Sequence, residues 1–250
     1  MKPMLCKKIT LEQAEKLPQD EWVIEPKLDG IRAYVEDGVL RDRRGKDIMA
    51  KFPEVAERIH CGHPNLDGEI IAQSGIFEDV SGRVHMKDAF KIKLAAKMNP
   101  AKYVVFDVVN PTLTLPERQK LLLNGNVPFE TIKQWTLNEL NEQWNGVLNR
   151  GEEGLILKRI NSYYEFGKRS RNWLKLKAFT EVIAEFTKYE EHSHGVTIET
   201  VDGRRVVVNG AQAEKVRQAF HQGPVVKAEI QFLPQINSDA WRFPSFRGLV

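Results

Sequence analysis

Residues 31–36 alternate strictly: Ile31, Ala33 and Val35 fall on one side, Arg32, Tyr34 and Glu36 on the other, and the run ends in Asp37-Gly38. Alternation of period two marks a half-buried strand. Asp-Gly suits a tight two-residue hairpin turn, because both central positions need positive φ. A strand over 31–36 and a return strand over Val39 to Arg43 follow from this. Residues 22–26 read as a preceding strand, so Lys27-Leu28-Asp29-Gly30 is confined to a strand–strand junction. Arg32 then projects from the polar face of the next strand, with Arg43 on the return strand close by. One lysine, one carboxylate and two arginines are thus gathered in a short stretch.

The rest of the chain offers similar punctuation. Thr10 and Gln13 read as a capping box opening a short helix that ends before Pro18. A helix from about Pro53 to Ile59, a strand from Leu66 to Ala72 and a basic helix over 86–98 follow. Tyr103 to Val109 is nearly continuous in apolar residues, as a buried strand would be. Pro116 starts a helix to Leu123, and Thr136 with Glu139 caps another to about Leu148. Leu155 to Ile160 and Trp173 to Ala178 read as strands. After Phe179 the texture changes to short strands, at 181–188, 196–201, 205–208, Val225 to Phe232 and Ala240 to Phe243, around one helix from Ala211 to His221. Short strands around a single helix fit a small OB-type barrel. The expected domains are therefore 1–179 and 180–250, in an α+β chain.

Composition excludes several classes. With 250 residues, 42% of them hydrophobic, the chain can bury a substantial core. Two cysteines, Cys6 and Cys61, make neither a disulfide framework nor a metal-ligand spacing. No signal-peptide pattern and no membrane-length apolar run is visible, which leads to the expectation of an intracellular, cytoplasmic protein. The net charge of +3 favours a polyanionic partner only weakly. The basic residues are clustered, however, at Arg41 to Lys46, Lys87 to Lys102 and Lys168 to Lys177, and clustering matters more for phosphate contacts. Any single cluster taken alone is more readily a solvated face.

The chemistry-bearing residues come in order: Lys27-Leu28-Asp29-Gly30-Ile31-Arg32, Leu66-Asp67-Gly68-Glu69, Tyr103-Val104-Val105-Phe106-Asp107, Glu153 to Lys158, and Trp173 to Lys177. A lysine of pKa about 10.4 is neutral in roughly one part in 2,500 at pH 7, so a nucleophilic Lys27 needs burial or cationic neighbours. Arg32, Lys175 and Lys177 could supply the cations, and Asp29 could orient the ammonium or take its proton. Gly30 permits close backbone approach at the turn. A solvated hairpin tip would also read Lys-x-Asp-Gly. Glu69 and Glu153 are hard carboxylates suited to Mg2+ that also holds phosphates. An edge-strand carboxylate and a turn residue are the plainer readings of the same pair. Phe106 in its Val-rich strand is core by default; the functional alternative is a ring stacked on a purine. Lys175 and Lys177 share one strand face, where an anion between them would relieve their repulsion.

This ordered set resembles the ATP-dependent DNA ligases of the covalent nucleotidyltransferase superfamily, over essentially the whole chain. It is most similar to the minimal type found in viruses and some bacteria. The resemblance implies an ATP-grasp-like nucleotidyltransferase domain of antiparallel sheets and helices followed by a small OB-fold barrel. It implies ATP and Mg2+ (or Mn2+) as cofactors, nicked duplex DNA as partner, no membrane, and a monomer. Lys27 would form a phosphoramide with AMP. Glu25 would lie at the adenine edge, and Phe106 would stack on the base. Arg32 and Arg43 would contact ribose and phosphates, or the 5′-phosphate of the nick. Glu69 and Glu153 would serve metal and ribose, while Lys158, Arg169, Lys175 and Lys177 would grip phosphates. The resemblance also leads one to expect a closing Arg-x-Asp-Lys element, which the segment Arg242 to Val250 does not contain. Either Arg247, or less readily Arg242, would substitute, or self-adenylylation would be slow. Rival readings are an RNA ligase, a GTP-using capping enzyme, and a nick-binding module without turnover.

Overall fold

In the computed structural model, the described residues are all except Met1, Cys61, His63, Asn126, Ile236 and Asn237; for residues 234, 235, 238–240 and 243 only the backbone is described. Cys6 is a free thiol, and Cys61 lies outside the described residues. The chain divides into two compact units, Met1–Lys177 and Ala178–Val250. The expected boundary was 179/180.

The first unit holds β1 (Leu5–Lys8), α1 (Leu11–Glu15), β2 (Trp22–Pro26), β3 (Ile31–Glu36), β4 (Val39–Asp42), α2 (Pro53–Ala56), β5 (Leu66–Ala72), α3 (Phe77–His85), α4 (Ala89–Met98) and β6 (Ala101–Val108). It continues with α5 (Leu115–Asn124), β7 (Glu130–Thr131), β8 (Trp135–Thr136), α6 (Leu140–Arg150), β9 (Gly154–Arg159) and β10 (Arg169–Lys177). Two five-stranded sheets result, ordered β1-β10-β9-β2-β8 and β4-β3-β5-β6-β7. They are mixed rather than purely antiparallel, because β1 runs parallel to β10 and β7 parallel to β6.

The hairpin forms as its turn chemistry requires. Asp37 and Gly38 both have positive φ, 53° and 77°, and Val35 pairs with Leu40 across it. The inner face of the second sheet, including Ala33, Val35, Leu66, Ile70, Tyr103 and Val105, builds one buried cluster with Phe52, Val55 and Phe129. Both sequence-read capping boxes at Thr10 and Thr136 are present. Gly151 ends α6 in the left-handed conformation at φ 61°.

Several expectations need correcting. The helix after Pro53 stops at Ala56, and the basic helix starts only at Ala89, after its Asp88 N-cap. Between them lies α3, which carries Glu78 and Asp79 in its first turn and Arg83 and His85 in its last, as its dipole favours. Arg43 lies one residue past β4, in a turn that Asp42 organises by accepting from Arg44 N at 2.8 Å and Lys46 N at 2.9 Å.

The second unit comprises β11 (Thr180–His192), β12 (Gly195–Thr200), β13 (Arg205–Asn209), α7 (Ala211–Gln222), β14 (Val226–Gln235) and β15 (Ser238–Leu249). Its one sheet is antiparallel, in the order β13-β12-β11-β14-β15, and its edge strands β13 and β15 touch, so it curls as an OB-like barrel does. Phe186, Val196, Ile198, Val206, Val216 and Ile230 fill it. β11 and β15 run longer than the sequence signals suggested. Among the described residues no helix is long and apolar enough to cross a membrane.

Candidate active site

Three adjacent strands bring the first group together. β2 pairs with β9 and β9 with β10, so the loop after Pro26, the residue before Gly154 and the end of β10 meet at one edge. The backbone N–H of Lys27 donates to Gly154 O at 2.8 Å. The Lys27 ammonium donates to Glu153 Oε2 in a short ion pair. Lys177 Nζ lies 2.9 Å from the other oxygen, Glu153 Oε1. One carboxylate therefore fixes two lysines. Burial pushes Glu153 up, but Lys27 and Lys177 outweigh it and hold its carboxyl below the usual range. Gly30 lets the junction lie on β5, since a Cβ there would sit 2.2 Å from Ile70 O.

A second group forms the floor of a cavity of about 910 Å3. Arg32 grips Asp67 with both arms of its guanidinium, Nε to Oδ1 at 3.0 Å and Nη2 to Oδ2 at 2.6 Å. Tyr164 Oη donates to the same Asp67 Oδ2 at 2.6 Å. The guanidinium also lies over Phe106 and Trp173, 5.4 and 5.6 Å from the ring centroids. Trp173 is buried, and among the described residues its indole N–H has no hydrogen-bond partner.

Arg32 and Glu69 face each other across β3 and β5. Period two puts Asp67 and Glu69 on the same side of β5, while Leu66, Gly68 and Ile70 face the core. Burial pushes the Glu69 carboxyl up to about 8 against the pull of Lys27 and Arg32. Lys175, also on the cavity wall, is pushed down by burial and by Lys177.

Of the residues expected from the sequence, Lys27, Glu25, Arg32, Arg43, Glu69, Phe106, Lys158, Arg169 and Lys175 all line this one cavity. Glu153 and Lys177 join it through Lys27. Arg43 is exposed at the rim, and Arg169 donates to Cys6 O at 2.9 Å. Lys158 departs from expectation. It is buried, 2.9 Å from Glu25 Oε1, 3.5 Å from Asp107 Oδ2 and 2.7 Å from Phe106 O, so its ammonium holds Glu25 in place rather than standing free for a phosphate. Glu25 also accepts from Gln134 Nε2 at 2.6 Å, and burial nonetheless raises its pKa. Arg32 likewise does not supply an unneutralised cation beside Lys27, because Asp67 compensates it.

Sequence reasoning gave no role to Asp67 and Asp107, although both stand in its motifs, and passed over Arg118, Gln134 and Tyr164. Asp67 was legible, being two residues before Glu69 on a strand. Arg118, fully buried and bound to Asp107 at 2.6 Å, sits on a helix where an exposed arginine is the ordinary expectation. Tyr164 follows no periodic signal.

The cavity thus combines aromatic faces, clustered cations and several carboxylates, an arrangement able to hold a planar, phosphorylated ligand beside a lysine. The family model "ATP dependent DNA ligase domain" matches residues 3–177. DNA ligase C1 of Mycolicibacterium smegmatis is 29% identical over 248 residues, covering 84% of this chain and 68% of that protein. The SPbeta prophage-derived DNA ligase-like protein LigB of Bacillus subtilis is 28% identical over 242 residues, covering 91% of this chain and 86% of its own. DNA ligase 1 of Methanosarcina mazei is 29% identical over 209 residues; 71% of this chain is covered, but only 36% of that longer protein. In fold, a solved Lig E DNA ligase superposes with a TM-score of 0.74 at 24% identity, over 100% of this chain and 99% of its own. A mycobacterial DNA ligase D complexed with ATP and MES superposes with a TM-score of 0.59 at 22% identity, over 100% of this chain and 95% of its own. The chain belongs to the ATP-dependent DNA ligase family, whose members are nucleotidyltransferases.

Proposed function

We propose that this chain seals nicks between a 3′-hydroxyl and a 5′-phosphate in duplex DNA, spending ATP through an AMP adduct on Lys27. The observation that carries the proposal is the Lys27–Glu153–Lys177 cluster at the edge of a cavity that also holds Phe106, Trp173 and Lys175. The residues 1–177 are the adenylylating domain in this reading, and 178–250 an OB domain that works with it. The enzyme acts as an intracellular monomer in DNA repair, replication or recombination.

The first step joins Lys27 Nζ to the α-phosphorus of ATP and breaks the bond to pyrophosphate, which leaves. Lys27 attacks as the neutral amine, its proton departing along the hydrogen bond to Glu153. In the second, a 5′-phosphate oxygen of the nick displaces Lys27 and takes the AMP. In the third, the 3′-hydroxyl attacks that 5′-phosphorus, closes the phosphodiester and releases AMP. Each is an in-line displacement that depends on positioning and on cations facing the phosphates. Phe106 offers a face for the adenine ring, Glu25 a fixed acceptor at its edge, and Lys175 a cation for the phosphates. Arg43 and Arg169 stand at the rim for the nick's phosphates.

Glu69 and Glu153 are the residues that would hold a divalent cation. Among the described residues no cluster of three or more acidic, histidine or cysteine groups exists. Two carboxylates fit Mg2+, which keeps most of its sphere for water and substrate phosphates. Mg2+ would neutralise phosphate charge and polarise the α-phosphate.

The test is sealing of a 5′-labelled nicked duplex with Mg2+ and ATP, GTP or no nucleotide, on all-DNA and RNA-containing nicks. The proposal requires ATP-dependent joining of the DNA nick. Joining only with GTP, or only of RNA strands, would move the chain to another branch of the superfamily.

A further inference from the structure

α4 is turned the wrong way round for a helix that serves only its own core. Its sole buried residue is Ile92. Phe90, Leu94 and Met98 recur at every fourth position and are 74%, 48% and 75% exposed. They form one ridge on the solvent side. Ile76, 49% exposed, extends the apolar surface at the same end, where Asn99 after α4 hydrogen-bonds Ser74 and Asp79. Lysines border the ridge: Lys87, Lys91, Lys93 and Lys97 are exposed, and among the described residues none of them is in an ion pair. The nearby Asp88 is committed to capping the helix through Phe90 N and Lys91 N.

We propose that α4 is a docking ridge for an acidic amphipathic helix of a partner protein. A row of side chains spaced by four is the ridge that packs into the groove of a second helix. The apolar row supplies the buried centre of such a contact, and the unpaired lysines supply a rim complementary to carboxylates. Duplex DNA fits less well: its phosphates would engage the lysines but leave Phe90, Leu94 and Met98 in water. None of these residues lines the cavity, so the inference stands apart from the nick-sealing proposal.

The probe is a labelled helical peptide with leucines at every fourth position between glutamates, compared with a scrambled peptide of the same composition. Both are titrated into the full chain by fluorescence anisotropy. The ordered peptide should bind at least about tenfold more tightly. Leu94→Ser with Met98→Ser, or Lys93→Glu with Lys97→Glu, should erase that preference while leaving circular dichroism and nick sealing unchanged. Equal binding of the two peptides overturns the proposal. So does a Lys93→Glu, Lys97→Glu variant that loses nicked-duplex affinity as severely as Lys175→Ala does, since α4 would then be a DNA face. Binding to phosphatidylserine vesicles, or concentration-dependent self-association in sedimentation, overturns it too if the same variants abolish that behaviour.

Discussion

Lys158 shows how much of this site consists of charges holding other charges. Its ammonium is enclosed by Glu25, Asp107 and the Phe106 carbonyl, with almost no access to water. Removing one member of such a buried group strands the rest, at a cost of about 3–5 kcal/mol. Lys158→Met should therefore lower stability by that order in chemical denaturation, and adding Glu25→Gln should recover part of it. A loss no larger than that of an exposed lysine would contradict the network. Glu69 makes a pH-dependent prediction. Burial raises its folded pKa to about 8, against an ordinary 4.5. An acid raised in this way contributes stability that is complete below pH 4.5 and is lost as pH rises through 8. Glu69→Gln does not titrate. The variant should gain on the parent protein across that window when denaturation is followed at several pH values, and a constant difference would argue against a raised Glu69.

The strand–loop junction at Gly30 is where element geometry and chemistry meet. A Cβ at this position would lie 2.2 Å from the Ile70 carbonyl and 2.9 Å from Glu69 Cγ. A backbone carbonyl cannot swing aside as a flexible side chain can. Gly30→Ala should cost about 1–3 kcal/mol by overpacking and should slow AMP attachment by shifting Lys27 relative to Glu69. Normal stability together with normal adenylylation would show that the junction is looser than its geometry. The hairpin at Asp37-Gly38, the two capping boxes and most of the strands were legible because their signals are local: turn residues, caps and period two. α3 was not, because Gly82 interrupts it and its apolar positions are few. β1 was hidden because a short edge strand gains its register from β10, far away in the chain. The same limit applies at the site. Lys27, Glu69 and Lys175 could be chosen from motif context, whereas the Arg32–Asp67–Tyr164 and Arg118–Asp107 pairings exist only once separate elements pack on one another.

At the scale of the whole molecule, a net charge of +3 gives little long-range attraction for DNA, so grip must come from local basic groups such as Arg43, Arg44 and Arg169. Affinity for a nicked duplex should be modest and should fall by orders of magnitude between low and moderate salt, as release of condensed counterions demands. A flat salt response in a binding titration would contradict that. The central claim is narrower: Lys27 carries the nucleotide. A guanidinium stays protonated and cannot replace it, and of the two lysines that Glu153 holds, Lys27 is the one that lines the cavity. The direct measurement is the intact mass of the protein after incubation with ATP and Mg2+, followed by peptide mapping, for the parent chain, Lys27→Ala and Lys27→Arg. The account predicts one added AMP on the peptide containing Lys27, and none on either variant although both remain folded. AMP on another residue, or retained by either variant, would contradict it.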